Sequence, residues 1–368
     1  RGCIINDIKQ QKIKQSHSQI NSIMIVIIVR SAKHLTNMNP RMLKISVVVP
    51  CFEDFDCINP MIDELTEVQK YINRGNSSIK VLVVNDSPWV IPKEKPHLPE
   101  NIDALCLQLP FNVGHQTAIA CGIKWFIQHD PEFDYLISMD IDGEDNPHQI
   151  PLLISRLQEN RDQKLRSYNY TKIAVAKRGQ RKEGKKFVAS YELYKFLTLL
   201  LTGKQLNFGN FIAFSNQAAQ IIASTPEVTI HLAATVIKSR IPTSRVIIDR
   251  RNRYTGYSKM GGYTGLILHA FKAFTVLSDY IAIRLLRLNF SLAVISILSL
   301  LLVIVLRFSL SSYFNVFPGW GSLAILMIAT FFSLTTLVVF SLCLQVSKRS
   351  LTKNLPFNPE KCKVYWNN

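Results

Sequence analysis

Tyr135-Leu136-Ile137-Ser138-Met139-Asp140-Ile141-Asp142-Gly143-Glu144-Asp145 is the stretch on which the reading of this sequence turns. Tyr135 to Met139 has the apolar composition and length of a buried strand, and it runs straight into a loop bearing Asp140, Asp142, Glu144 and Asp145. Carboxylates spaced i, i+2 just past a strand end can face one divalent cation, with phosphate oxygens completing the shell. Hard ions such as Mg²⁺ or Mn²⁺ prefer that donor set. A solvated acidic turn has the same composition, so the flanking sequence must decide.

Working outward, Ile45 to Val49 is a β-branched run ending at Pro50, and Ile79 to Val84 is a second, ending at Asn85-Asp86-Ser87. Ala104 to Leu109 reads as a third strand and Tyr135 to Met139 as the fourth. Asn59 to Asn73 and Gly114 to His129 have helical periodicity. Alternating strands and helices predict an α/β fold with a parallel, doubly wound sheet, whose ligands bind beyond the carboxyl ends of the strands. The polar clusters fall at those ends: Pro50-Cys51-Phe52-Glu53-Asp54 after the first strand, Asn85-Asp86-Ser87 after the second, and Asn112-Val113-Gly114-His115-Gln116 after the third. Carboxylates there can accept from a nucleobase N–H or a ribose hydroxyl, and Gly114 lets backbone approach a ligand closely.

The chain is 368 residues long and 48% hydrophobic, enough for one sizeable α/β domain with an appended element. Its 43 Lys+Arg against 26 Asp+Glu, a net charge of +17, favour anionic partners. A nucleic-acid binder would have little use for Glu53, Asp86, Asp140 and Asp142 on one edge, where they repel phosphate, so no nucleic-acid partner is expected. The seven cysteines include no C-x-x-C pair. They read as small core hydrophobes in a reducing compartment, not as a disulfide frame or zinc site.

Phe290 to Leu306 and Leu323 to Val346 are apolar and close to the roughly 20 residues needed to cross a bilayer. Pro318-Gly319-Trp320 lies between them, and basic residues flank the outer ends (Arg284 and Arg287; Lys348, Arg349 and Lys353), which orients both ends toward the cytoplasm. Leu266 to Leu286 mixes His269, Lys272, Asp279 and Arg284 with apolar residues, as an interfacial segment does. The expected organisation is an extension over 1–41 outside the fold, a catalytic domain over 42–260, juxtamembrane amphipathic helices over 261–288, a two-helix anchor over 289–347, and a cytoplasmic tail over 348–368.

VVVPCFED (47–54), VVNDS (83–87), LPFNVGHQTAIACGI (109–123) and MDIDGEDNP (139–147), in this order, resemble the family 2 glycosyltransferases of GT-A fold. With two C-terminal spans joined by PGWGSL (318–323), the chain looks most like the polyprenyl-phosphate group, which includes dolichol-phosphate mannose synthases and undecaprenyl-phosphate glycosyltransferases. The resemblance implies a nucleotide-sugar donor, a polyprenyl phosphate acceptor and membrane lipid as partners, and admits a homo-oligomer, a tetramer. It implies that Pro50, Glu53 and Asp86, with Asn112 and Asp140, hold the nucleotide, and that Asp140, Asp142 and Glu144 hold Mg²⁺ or Mn²⁺. Asp142 and Arg178 take catalytic roles, Arg178 as a phosphate clamp, and Asp145 is the candidate base if the acceptor is a sugar hydroxyl. Arg250, Arg253 and Lys259 resemble the family's basic segment and suit a donor or acceptor phosphate. Two departures stand out: Asn210 occupies the place of a family Asp, and Ser87-Pro88 follows Asp86 where a Gly is usual.

Overall fold

The computed structural model describes residues 41–92, 95–159, 172–178, 185–248, 251–255, 262–309, 319–351 and 362–366. Its strands are β1 (Leu43–Cys51), β2 (Ser77–Asn85), β3 (Ile102–Gln108), β4 (Tyr135–Ser138), β5 (Ile173–Arg178), β6 (Phe208–Ser215), β7 (Thr243–Ile248) and β8 (Lys363–Tyr365). They form one sheet in the order β7-β5-β6-β4-β1-β2-β3-β8. The predicted parallel set is present, with β3, β2, β1 and β4 side by side and parallel. The other half departs from a purely parallel sheet. β6 runs antiparallel to both β4 and β5, and β8 antiparallel to β3.

The helices are α1 (Ile58–Tyr71), α2 (His115–His129), α3 (Ile150–Gln158), α4 (Lys185–Thr202), α5 (Asn216–Ser224), α6 (Leu232–Ser239), α7 (Gly262–Val276), α8 (Ser278–Ser309) and α9 (Trp320–Leu351). Because side chains alternate across a strand, β1 sends Val48 to one face and Val47 and Val49 to the other. On the first face Val48, Leu82 and Val84 meet α2, α5, α6 and α7 through Ala118, Phe126, Ala219, Ala234 and Ala273. On the second, Val47, Val81 and Val83 meet Met61, Ile62 and Leu65 of α1 and Leu153 and Ile154 of α3. Cys51, Cys57, Cys106 and Cys121 are buried free thiols within this packing, and burial pushes Cys121 up to about 12. They act as core hydrophobes, as the sequence predicts.

Two helices, α8 and α9, are long and apolar enough to cross a membrane. The expected division between juxtamembrane helices and anchor at 288/289 falls inside α8, which follows a turn at Leu277 and runs unbroken from Ser278 to Ser309. Lys238 at the end of α6 pairs with both Glu227 (2.8 Å) and Asp279 (2.7 Å), fixing the start of α8 against the sheet domain. Arg284 of α8 donates to the carbonyls of Leu199 and Leu200 in the last turn of α4, where helix carbonyls lack a full set of intrahelical partners. Within the expected tail, Lys363–Tyr365 returns to pair with β3.

Two expectations follow from the packing. A Cβ on Gly122 would lie 2.4 Å from Val48 and 2.9 Å from Val84, so this glycine sets how closely α2 approaches the sheet. Gly122→Ala should destabilise the fold by about 1–3 kcal/mol through overpacking, read as a drop in apparent Tm. His231 caps α6 by accepting from the Ala234 N–H (3.2 Å), and burial, then neighbouring His269 and Lys272, hold its pKa well below the ordinary value. An unfolded histidine takes up a proton near pH ~6.5, so the neutral buried ring contributes stability above that pH, lost as pH falls below it. His231→Asn keeps a capping side chain and should flatten the decline in Tm between about pH 6.5 and 5.

Candidate active site

The carboxyl ends of β1, β2 and β4 form one edge of the sheet, and the loops that leave them build the site. Asp140 follows β4, and its backbone N–H donates to Asp145 Oδ2 at 2.9 Å. Asp142 Oδ1 accepts from the Glu144 N–H at 2.9 Å. These bonds fold the acidic loop back on itself, so that Asp142 and Asp145 are each only 7% exposed. Gly143, at φ 85°, lies under the Tyr254 ring, where a Cβ would come within 2.7 Å of it.

Arg253 lies across the loop. Its Nη2 is 2.8 Å from Asp142 Oδ2 and its Nε 3.3 Å from Glu144 Oε1. The segment carrying it is strapped down by the Tyr254 N–H to the Asp142 carbonyl (2.8 Å) and by Arg251, which grips Glu64 with two parallel bonds of 2.8 and 2.9 Å. The predicted basic segment therefore does meet the predicted acidic loop, and Arg253 is the residue that makes the meeting. Arg250 and Lys259 lie outside the described residues, as does the side chain of Arg178, whose backbone ends β5 opposite Ile248 of β7.

Asp86 is buried, and both its oxygens accept backbone N–H groups, from Val113 at 2.7 Å and Gly114 at 2.9 Å. Asn112 donates to the Asp86 carbonyl at 3.1 Å. Burial raises the Asp86 pKa, while these two N–H groups pull it down. Asp86 and Asn112 thus hold the β3–α2 loop, a role the sequence reading did not give them. Pro50 ends the buried core of β1, and Glu53, at φ 55°, projects beyond it with its N–H bonded to Ser87 Oγ at 2.9 Å.

The Asp86-held loop starts α2 at His115, whose Nε2 is 3.2 Å from Asp140 Oδ1. Desolvation acts against protonation of this ring, but half of it meets solvent, and Asp140, then Asp145 and Asp142, raise its pKa. A hydrogen-bonded chain reaches the same nitrogen from the other side. The Leu232 N–H donates to Gln116 Oε1 (2.7 Å), Gln116 Nε2 to Asn210 Oδ1 (3.1 Å), and Asn210 Nδ2 faces His115 Nε2 (2.9 Å). The backbone donor of Leu232 fixes the sense of both amides. His115 and Gln116 carry no role in the sequence reading. Their only signal is position, directly after a glycine at a helix start.

Among the described residues no three carboxylate, imidazole or thiol groups are gathered closely enough to hold a metal ion by themselves. Asp140 and Asp142 with donor phosphates form the kind of mixed set Mg²⁺ accepts, and the Arg253 guanidinium between Asp142 and Glu144 stands where positive charge is favoured.

Comparison with known proteins agrees with this edge. Residues 46–210 match the model of Glycosyl transferase family 2. The chain is also 24% identical over 227 residues to the uncharacterized glycosyltransferase YkoT of Bacillus subtilis (strain 168), an alignment covering 58% of this chain and 62% of that protein. The match thus spans less than two thirds of that relative's length. β1 to β4, the acidic loop, the Asp86 clamp and Asn210 all lie within the segment that matches the family 2 glycosyltransferase model.

Proposed function

We propose that the protein transfers a hexose-type sugar from a UDP- or GDP-linked donor to a polyprenyl phosphate at the cytoplasmic face of a membrane, with inversion at the anomeric carbon. The observation that carries this reading is the acidic loop at the end of β4, set beside β1 in a family 2 domain and coupled through Arg253 to the segment leading into α7. Asp140 and Asp142, with Glu144, would hold Mg²⁺ or Mn²⁺, which when bound neutralises charge on the departing nucleoside diphosphate. Arg253, and Arg178 with Arg250 and Lys259, supply guanidinium and ammonium groups for the phosphates of donor and acceptor.

The acceptor phosphate attacks the anomeric carbon. A carbon–oxygen bond to the donor diphosphate breaks as one to the lipid phosphate forms, and the electron pair leaves with the diphosphate. A phosphate monoester is mostly dianionic at pH 7, its second pKa being about 6, so this step needs no general base. Two features favour phosphate over a sugar hydroxyl as acceptor. Asn210, which cannot serve as a base, stands at the family's acidic position, and Asp145 already receives the Asp140 N–H. The membrane reading is supported by α8 and α9 and by β8, which brings the chain after α9 back to the catalytic sheet, as expected of a hairpin with both ends on one side.

Purified full-length protein incubated with undecaprenyl phosphate, Mn²⁺ and a panel of nucleotide sugars should yield a glycosyl-phosphate lipid detectable by mass spectrometry. Asp142→Ala or EDTA should abolish it, and absence of product from every donor in the panel would overturn this reading. Loss of a general base costs about 10²–10⁴ in rate, so Asp145→Asn should retain more than that if phosphate is the acceptor. A full loss of that size would turn the assignment to a hydroxyl acceptor.

A further inference from the structure

The Ser87-Pro88 departure proves to be a turn with its own purpose. The Val90 N–H donates to the Ser87 carbonyl at 3.0 Å, closing a β-turn with Pro88 and Trp89 at its centre. Proline in the first central position presets the turn. Asn85 Nδ2 donates to the Val90 carbonyl (2.7 Å) and to Gln108 Oε1 (2.6 Å), and Asn85 Oδ1 accepts from the Ser87 N–H (2.9 Å). The turn is thereby tied to β2 and β3 from beneath. What it displays is Trp89, 61% exposed. The indole N–H donates to Glu53 Oε1 at 3.0 Å, and the ring meets Phe52 edge-on at 5.9 Å. Glu53 is held in its left-handed conformation by Ser87, the first residue of the same turn. A non-glycine residue at positive φ costs about 1–3 kcal/mol and persists where its surroundings impose it.

The location narrows what this device is for. It stands at the carboxyl ends of β1 and β2, and the acidic loop stands at the end of β4 on the other side of β1. Strand spacings of about 4.8 Å put the two roughly 10 Å apart, a gap that a nucleoside diphosphate bridges with its base at one end and its phosphates at the other. Asp86, the acid otherwise expected to meet the base, is buried and turned onto the Val113 and Gly114 N–H groups. Glu53 remains, exposed and with acceptor capacity beyond the indole bond.

We propose that Trp89 is the platform on which the donor's nucleobase stacks, and that Glu53, oriented by Trp89 and Ser87, accepts the ring N–H of that base. This rests on the nucleotide-sugar reading above. A carboxylate acceptor selects bases that carry a ring N–H, uracil and guanine, over cytosine, which has none. Phe52 supports the indole from the side and fixes its plane.

Calorimetric titration of the full chain in detergent with Mn²⁺, using UDP, GDP, CDP and inorganic pyrophosphate, tests the assignment. Trp89→Ala should weaken the preferred nucleoside diphosphate by about tenfold, the loss expected for one stacked base, and leave pyrophosphate affinity unchanged. Trp89→Phe should keep most of the affinity, and wild type should favour UDP or GDP over CDP. Equal nucleotide affinity in wild type and Trp89→Ala, or equal loss of nucleotide and pyrophosphate, overturns the stacking role. CDP binding as tight as UDP and GDP overturns the part given to Glu53. A wild type that binds pyrophosphate but no nucleoside diphosphate, or neither, overturns the donor reading beneath both.

Discussion

The carboxylate of Asp86 is the constraint from which the active edge follows. It is buried beside the end of β1, with its N–H on the Cys51 carbonyl and its two oxygens on the Val113 and Gly114 N–H groups. A buried ionised carboxylate is costly unless hydrogen-bonded, and these two donors both offset that cost and decide where the β3–α2 loop must run. Gly114, at φ 84°, makes the reversal such a loop needs. Helix α2 then begins at His115, beside Asp140 on the far side of β1. One acidic side chain just past β2 thus governs the surroundings of another just past β4.

The antiparallel strand β6 completes that edge. Entering between β4 and β5, it carries Asn210 to Gln116 and His115 on α2. Gln116 is only 4% exposed and binds the first N–H of α6 as well, so α2, β6 and α6 are joined by amide groups with no charge between them. Buried polar groups of this kind specify one arrangement only if every member is satisfied. An aspartate at 210 would add a fourth carboxylate to the three, Asp140, Asp142 and Asp145, whose charges already act on His115. Asparagine keeps the chain neutral while leaving the acidic loop as the local concentration of negative charge.

The first four strands and the acidic loop are legible in the sequence because each strand is a short, nearly uninterrupted apolar run ending in polar residues, and β1 and β2 in particular are buried on both faces. The direction of β6 is not legible, since alternation along a strand does not report which neighbour it pairs with or in which sense. β8 is three residues long and separated from β3 by more than 250 positions, so nothing local marks it. That α8 begins as early as Ser278 is not legible, because Asp279 and Arg284 read as flanking charges of a later span, whereas they meet Lys238 of α6 and carbonyls of α4. At the site, Asp86 is found but its role is not, because composition cannot say that its oxygens face backbone. Trp89 goes unnamed there, and only the neighbouring Ser87-Pro88 is noted as a departure.

The excess of positive charge also takes on a definite local meaning. Arg251 and Arg253 are partly buried, each against a carboxylate held by the sheet domain, Glu64 for the first and Asp142 with Glu144 for the second. Desolvating such pairs offsets much of their attraction, so their value lies more in position than in stability. They fix the segment 251–255 over Gly143 and the acidic loop, with the Tyr254 ring filling the space above that glycine. The same segment precedes α7 in the chain, and α7 leads through Leu277 into the first long apolar helix. The charges at this edge thus hold residues 251–255 against the sheet domain, just ahead in the chain of the helices that lead to the apolar pair.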